Sequence, residues 1–175
     1  SPQFVPSHND VNPRNVVYDG ERLWLVEWTA AFQSDRFTDL ASIASFMAQD
    51  EEGEAVLLAA YVGAPATEAQ RARMYLARQI NHMFYAMSLI GTTGGARPAR
   101  VRSLADVHAA LRAGELVMDT AVGRAEYAHA RLAAMVAGVD APRFDEARRL
   151  ATGGHPAPEW RPYTPPAFAA RLAGN

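Results

Sequence analysis

A change of sequence pattern near Trp28 is the feature that most constrains the fold. Before it, two short β-prone runs, 16–18 and 23–26, flank Asp19 and Gly20. An Asp-Gly pair between such runs is a strong signal for a β-hairpin. After it, apolar residues recur at the spacing of amphipathic helices almost to the end of the chain. The sequence therefore predicts a mainly α fold with a small β-hairpin.

Caps and periodicity predict six helices, and the segment before the hairpin, residues 4–15, is predicted to be a loop. The predicted helices are 35–49, 50–62, 67–90, 103–112, 119–137 and 142–151. The third has an apolar stripe, which is typical of a helix that packs against a core. The stripe consists of Leu76, Ile80, Met83, Phe84, Met87 and Ile90. His82 lies beside it and is expected in the core or at its boundary.

Three oxygen-bearing side chains surround the predicted hairpin. Asp10 and Asn15 precede its first strand, and Glu27 follows its second. Because a hairpin returns the end of its second strand to the start of its first, these three side chains can converge. One carboxylate that orients a nucleophile, together with oxygen ligands for Mg²⁺, is the set that phosphoryl transfer requires.

Local structural explanations stand beside this interpretation. Asn and Asp favour turns, so Asp10 and Asn15 could cap a loop around Pro13, and Glu27 could be an ordinary acid at a strand end. The acidic cluster at 50–54 could be a solvated helix start, or it could attract a cationic molecule. Aromatic residues could form a wall for such a cation, although core packing explains most of them equally well. These aromatic residues are Trp24, Trp28, Phe32, Tyr61 and Tyr85.

Composition excludes several classes of protein. The 175 residues are enough for one domain with a core, predicted to span 1–175. The formal net charge of −2 gives no electrostatic case for binding nucleic acid or an anionic membrane. The absence of Cys excludes disulfides and thiolate chemistry. No signal peptide is recognisable, and we expect a cytoplasmic protein. The tail, 153–175, is rich in Pro and is predicted to lie along the surface.

The motifs together resemble the C-terminal lobe of the choline/ethanolamine kinase and aminoglycoside phosphotransferase superfamily, which has a protein-kinase-like α+β fold. The resemblance covers residues 4–48 by motif and the remainder by helical layout. The matching residues are His8-Asn9-Asp10 with Asn15, Val26-Glu27-Trp28 after the hairpin, Asp35, and Asp39-Leu40-Ala41. It implies a catalytic loop and hairpin at 4–28 and a helical body at 35–151.

The resemblance also implies roles for individual residues. Asp10 would be the catalytic base that orients the acceptor hydroxyl. Asn15 and Glu27 would bind Mg²⁺ and, through it, ATP. His8 would brace the catalytic loop, and Asp39 would tie that loop to the following helix. A small hydroxylated acceptor resembling choline, thiamine or an aminoglycoside would be the substrate.

A candidate acceptor pocket is formed by Trp28, Tyr61 and Tyr85, all of them aromatic. The family's N-terminal lobe, with its phosphate-binding lysine, is expected to be absent, since this chain contains no Lys. Alone, the chain would then be inactive, and its exposed hairpin face would favour self-association or a separate N-terminal lobe.

One departure from the family pattern supports an alternative. Glu27 stands where the family usually has Asp, and the extra methylene displaces the carboxylate by about 1 Å, a shift that can lower a rate about 10²-fold. Glu27 still offers hard oxygen ligands. The alternatives are therefore a non-catalytic, pseudokinase-like binding or regulatory protein, and a helical interaction module that only retains the motif.

Overall fold

The computed structural model describes residues 4–153, so the predicted Pro-rich tail lies outside the described residues except for Gly153. Four short strands precede six helices. The strands are β1 (Phe4–Ser7), β2 (Val16–Tyr18), β3 (Leu23–Leu25) and β4 (Phe32–Asp35). The helices are α1 (Phe37–Met47), α2 (Glu51–Val62), α3 (Glu68–Ile90), α4 (Leu104–Arg112), α5 (Ala121–Asp140) and α6 (Pro142–Ala151). The predicted mainly α fold with a small hairpin is confirmed.

The predicted hairpin is present as the antiparallel pair β2–β3, in which Val16 lies opposite Leu25. The prediction that residues 4–15 form only a loop was wrong for β1, which pairs antiparallel with β4. Pro6 within β1 gave a local signal for a loop, but proline is tolerated in an edge strand. Two separate two-stranded sheets thus flank the segment that contains Asp10.

The first three helices begin at or close to their predicted starts. The Asp50 side chain accepts a hydrogen bond from the backbone N–H of Gly53 at 2.7 Å and caps the start of α2. Thr67 and Gln70 form a complete capping box at the start of α3. The first helix begins two residues later than predicted, at Phe37, whose amide donates to the Asp35 side chain at 2.9 Å. These interactions join neighbours in sequence, so the sequence alone can specify them.

The orientation of α3 differs from the prediction. The predicted core-facing stripe is largely exposed to solvent: Ile80 is 63% and Met87 61% exposed. The buried side of the helix instead carries polar residues, among them Asn81 and His82, which is 5% exposed. The core position of His82 is confirmed, whereas the packing inferred from the apolar stripe was wrong, because α1 and α5 pack against the polar face.

Arg131 of α5 explains why α3 turns a polar face inward. Its side chain is completely buried. The guanidinium donates to Asn81 Oδ1 at 3.2 Å, to His82 Nδ1 at 3.1 Å and to the Tyr127 hydroxyl at 2.6 Å. Within residues 4–153 it forms no salt bridge. A buried cation requires such acceptors to offset its lost hydration.

The β2–β3 hairpin presents apolar side chains to solvent, as expected. Tyr18 is 64%, Leu23 72% and Trp24 51% exposed. Self-association through this surface remains a prediction. None of the helices within residues 4–153 combines the length and apolar character needed to cross a membrane.

Acid should destabilise the protein through His82. Burial, followed by the positive charge of Arg131, lowers the pKa of His82 from 6.5 to about 3. Between these values the unfolded chain binds a proton that the folded protein excludes. The free energy of unfolding should therefore decrease as the pH falls from 6.5 towards about 3, by up to about 1.4 kcal/mol per pH unit. Urea titrations across this range measure the slope.

The matched variant is His82→Asn, which keeps an acceptor for Arg131 but cannot titrate. Its pH slope should be shallower than that of the parent protein. The remaining slope is expected from His108, whose pKa burial lowers to about 4. An identical slope in His82→Asn and the parent would contradict this assignment.

Candidate functional site

Asp39, in the first turn of α1, anchors the loop that follows β1. Its Oδ2 accepts the backbone N–H of His8 at 2.8 Å, and its Oδ1 accepts the N–H of Asn9 at 2.7 Å. Both carboxylate oxygens are therefore used on consecutive amides. Hydrogen bonds to an ionised acceptor are among the stronger ones in proteins, so this contact fixes where the loop leaves the sheet.

Asn9 reverses the chain direction at this point. Its φ of +63° lies in the left-handed region, which is uncommon for a residue other than glycine. The side-chain amide donates to the carbonyls of Ser7 and Ala30, both at 3.1 Å, and its oxygen accepts from Ser34 Oγ at 2.7 Å. These bonds tie the loop to both strands of the β1–β4 sheet and stabilise the strained conformation.

His8 connects the loop to the end of the hairpin. Its side chain is 1% exposed. Nδ1 accepts the N–H of Asp10 at 3.2 Å, and Nε2 lies 2.8 Å from the carbonyl oxygen of Val26. Because a backbone amide can only donate and a carbonyl can only accept, the proton of the neutral ring resides on Nε2. Both ring nitrogens of His8 are therefore engaged with backbone groups on either side of the site.

The carboxylate of Asp10 accepts hydrogen bonds on both oxygens. Oδ1 accepts from Asn12 Nδ2 and from the Tyr85 hydroxyl, each at 3.0 Å. Oδ2 accepts from Asn15 Nδ2, also at 3.0 Å. The structure thus brings together Asp10 and Asn15, two of the three residues predicted to share one site, and these hydrogen bonds fix the rotamer of the carboxylate.

The orientation of the Asn15 amide follows from its partners. Asn15 Nδ2 donates to the side chain of Asp10 and to its carbonyl oxygen at 2.9 Å. Both partners are acceptors, so the nitrogen must face Asp10, and Oδ1 must face another direction. An amide oxygen is a hard ligand suited to Mg²⁺. Of the two ends of the Asn15 amide, the oxygen is therefore the one that could serve as a ligand to Mg²⁺.

Within residues 4–153, no hydrogen bond joins the side chain of Glu27 to Asp10 or Asn15. The backbone of Val26, directly before it, donates to the carbonyl of Asn15 at 2.9 Å and accepts from His8. The Glu27 side chain is exposed and accepts from Thr29 Oγ1 at 2.6 Å. Within the part of the chain that is described, no group of three His or acidic residues could hold a metal ion. A metal here would need nucleotide oxygens as further ligands.

The three aromatic residues of the predicted acceptor pocket lie in different environments. Trp28 is 56% exposed, and its ring centroid lies 4.8 Å from that of His8. Tyr85 reaches Asp10 directly. Tyr61 is 48% exposed on α2, and no ring contact within residues 4–153 connects it to this loop.

The acidic cluster at the start of α2 is engaged in structural contacts. Asp50 caps the helix, and Glu54 pairs with Arg78 at 2.6 Å. Glu51 lies 3.7 Å from Arg143. These ion pairs support the interpretation of a helix start over that of an attractor for a cationic molecule.

Several residues that contact the loop around Asp10 were not predicted from the sequence. Asn12 and Ser42 were not singled out, although Asn12 contacts Asp10 and the Ser42 hydroxyl donates to the carbonyl of Val11 at 2.9 Å. No local signal indicates Ser42 or Arg131, because their partners lie far away in sequence.

Replacing Asp39 with Asn should destabilise the protein markedly. The introduced amide would offer one acceptor oxygen to two backbone N–H groups, so the loss in free energy of unfolding should be about 1.5–3 kcal/mol. Chemical denaturation measures it. Asp145→Asn is the matched control, since Asp145 also lies in the first turn of a helix but has a side chain 78% exposed. Equal, small effects of both substitutions would contradict the anchoring role.

Comparison with known proteins identifies the fold. No protein-family model and no curated protein matches the sequence. Among solved structures, a choline/ethanolamine kinase family protein from Mesorhizobium loti is similar, with a TM-score of 0.61 and 19% sequence identity. The match covers 87% of this chain and 45% of that protein, so the chain spans less than half the length of its structural relative. The described residues therefore have the kinase-like fold of a C-terminal lobe.

Proposed function

We propose that this chain is the C-terminal lobe of an ATP-dependent phosphotransferase that acts on a hydroxyl group of a small molecule. The observation that supports this most strongly is the direct contact of Asp10 with Asn15 at the start of the hairpin. The kinase-like fold of the structural relative supports the same reaction class. The acceptor would resemble choline, thiamine or an aminoglycoside.

Asp10 would orient the acceptor hydroxyl and accept its proton as the phosphoryl group is transferred. A general base must lie within hydrogen-bonding reach of that proton and keep a fixed orientation. The three donors on its carboxylate satisfy the second requirement. Phosphoryl transfer depends mainly on such positioning and on electrostatic stabilisation.

Asn15 and Glu27 would hold Mg²⁺ through the amide oxygen and the carboxylate. When bound, the metal neutralises charge that develops on the phosphates. The backbone of Val26, held by His8 and Asn15, would keep Glu27 beside the loop. His8 and Asp39 would serve the site by fixing the backbone.

The acceptor would approach along the Trp28 side of the loop, since Trp28 is 56% exposed. Such a surface favours a cationic head group, since a cation is attracted to the face of an indole. Tyr61 is the other proposed member of this pocket, although no ring contact within residues 4–153 joins it to the loop. The chain's single-domain extent, 1–175, and its cytoplasmic location are further parts of the proposal.

A complete nucleotide site needs groups that grip the β- and γ-phosphates. We assign these to a preceding N-terminal lobe, because the structural relative is more than twice as long as the region it shares with this chain. The exposed apolar hairpin is the surface on which such a lobe would pack.

A non-catalytic, pseudokinase-like role is the second candidate. The exposed Glu27 carboxylate, engaged with Thr29, favours it. Nucleotide binding that depends on Mg²⁺, without release of ADP in the presence of any acceptor, would distinguish this role from catalysis.

Replacing the proposed base should abolish most turnover. In the natural full-length protein, Asp10→Asn should lower kcat about 10²–10⁴-fold, because the amide cannot accept the hydroxyl proton. ADP release with ATP, Mg²⁺ and a panel of hydroxylated amines measures this. Parent-like turnover in Asp10→Asn would contradict the assignment of Asp10 as the base.

Replacing Glu27 tests its proposed role as a metal ligand. Glu27→Gln should raise the Mg²⁺ concentration needed for half-maximal activity, while Glu21→Gln at the hairpin turn serves as the control.

A further inference from the structure

Tyr85 joins the proposed catalytic carboxylate to the buried polar core. Its hydroxyl donates to Asp10 Oδ1 at 3.0 Å and lies 3.2 Å from Ser42 Oγ. Burial above all, with a contribution from the negative charge of Asp10, raises the pKa of Tyr85 well above its ordinary value. The hydroxyl therefore remains protonated and able to donate at physiological pH.

The ring of Tyr85 is fixed by its neighbours. The Arg131 guanidinium carbon lies 4.9 Å from its centroid. Phe46 and Phe84 contact it edge-on, with centroid separations of 5.6 and 5.8 Å. These contacts leave little of the ring for a ligand. The acceptor-pocket role suggested by the sequence therefore suits Tyr85 less well than it suits Trp28.

The same aromatic contacts stabilise the buried guanidinium of Arg131. It is a completely buried cation without a salt bridge in residues 4–153, and its Nε lacks a hydrogen-bond partner there. The rings of Tyr85, Tyr127 and Phe46 lie 4.9, 5.0 and 5.3 Å from its guanidinium carbon. Desolvated cation–π contacts of this kind are stronger than exposed ones. Arg131 thus determines where the Tyr85 ring, and hence its hydroxyl, is held.

The two oxygens of Asp10 are not equivalent. Within residues 4–153, Oδ1 accepts from both Asn12 and Tyr85, whereas Oδ2 accepts from Asn15 alone. Each carboxylate oxygen has two lone pairs in its plane. The hydrogen bonds from Asn12 and Tyr85 occupy both lone pairs of Oδ1. Oδ2 uses one lone pair for Asn15 and keeps the other for a further donor.

We propose that Tyr85 is a positioning residue for Asp10, held in place by Arg131, and that Oδ2 of Asp10 is the oxygen that receives the proton of the acceptor hydroxyl. This inference rests on the proposed function, since it presumes that Asp10 acts as the base. Tyr85 acts through Asp10 and does not contact the substrate.

The test combines Tyr85→Phe with Asp10→Ala in the natural full-length protein. Tyr85→Phe keeps the ring over Arg131 and removes only the hydroxyl. It should lower kcat about 10-fold and leave the KM values for ATP and the acceptor within about twofold, because positioning affects the reaction more than binding. In the Asp10→Ala background, Tyr85→Phe should not lower the residual rate further.

Tyr75→Phe is the matched control. Tyr75 also lies on α3, and its hydroxyl donates to the carbonyl of Gly138 at 2.7 Å, away from Asp10. It loses a hydrogen bond of the same kind and should keep the parent kcat. An unchanged kcat in Tyr85→Phe, or a raised acceptor KM with unchanged kcat, would overturn the positioning role.

Melting temperatures of the parent, the two single variants and the double variant separate this inference from the proposed function. Tyr85→Phe should lower the melting temperature more in the parent than in Asp10→Ala, where the hydroxyl keeps only its contact with Ser42. Equal shifts in both backgrounds would overturn the Tyr85–Asp10 contact. Absence of turnover in the parent, with the coupling intact, would overturn the proposed function instead.

Discussion

The pair of hydrogen bonds from the His8 and Asn9 amides to Asp39 is the interaction on which the candidate site depends. It holds the loop against the first turn of α1 and allows Asn9 to adopt a left-handed conformation. From that reversal, Asp10 is directed towards Asn15 and Tyr85. Without the anchor, the backbone that carries Asp10 would lose its attachment to α1.

A second constraint comes from the buried guanidinium of Arg131. A cation in the interior needs acceptors and π faces, and α3 supplies several of them through Asn81, His82 and Tyr85. This requirement turns the polar face of α3 inward and leaves Ile80, with the rest of the apolar stripe, in solvent. The same arrangement places the Tyr85 hydroxyl against Asp10. Core packing and site geometry are thus parts of one network.

The sequence predicted what depends on near neighbours. The hairpin around Gly20 and the start of α3 at Thr67 are determined by turn chemistry and capping, and both were predicted. The pairing of β1 with β4 and the orientation of α3 were not, because they depend on partners far along the chain. The contacts of Asp39 with His8 and Asn9 also span 31 and 30 residues. Asp39 was identified only through resemblance to a family, since no spacing rule predicts that contact.

For the site itself, residue types and the hairpin geometry were sufficient to group Asp10 with Asn15. They were insufficient for Glu27, whose side chain contacts Thr29, and for Asn12. Side-chain orientation at the end of a strand depends on the local backbone, and Glu27 has a φ of +63° that its sequence does not signal. The residues of a site can therefore be proposed from the sequence, whereas the individual hydrogen bonds between their side chains cannot.

The most direct test of the central claim is a crystal structure of the natural full-length protein with Mg²⁺ and a non-hydrolysable ATP analogue. The account predicts a metal ion bound to Asn15 Oδ1 at about 2.0–2.1 Å, with the γ-phosphate facing Asp10 Oδ2. A nucleotide bound elsewhere, or a metal held without Asn15, would contradict it.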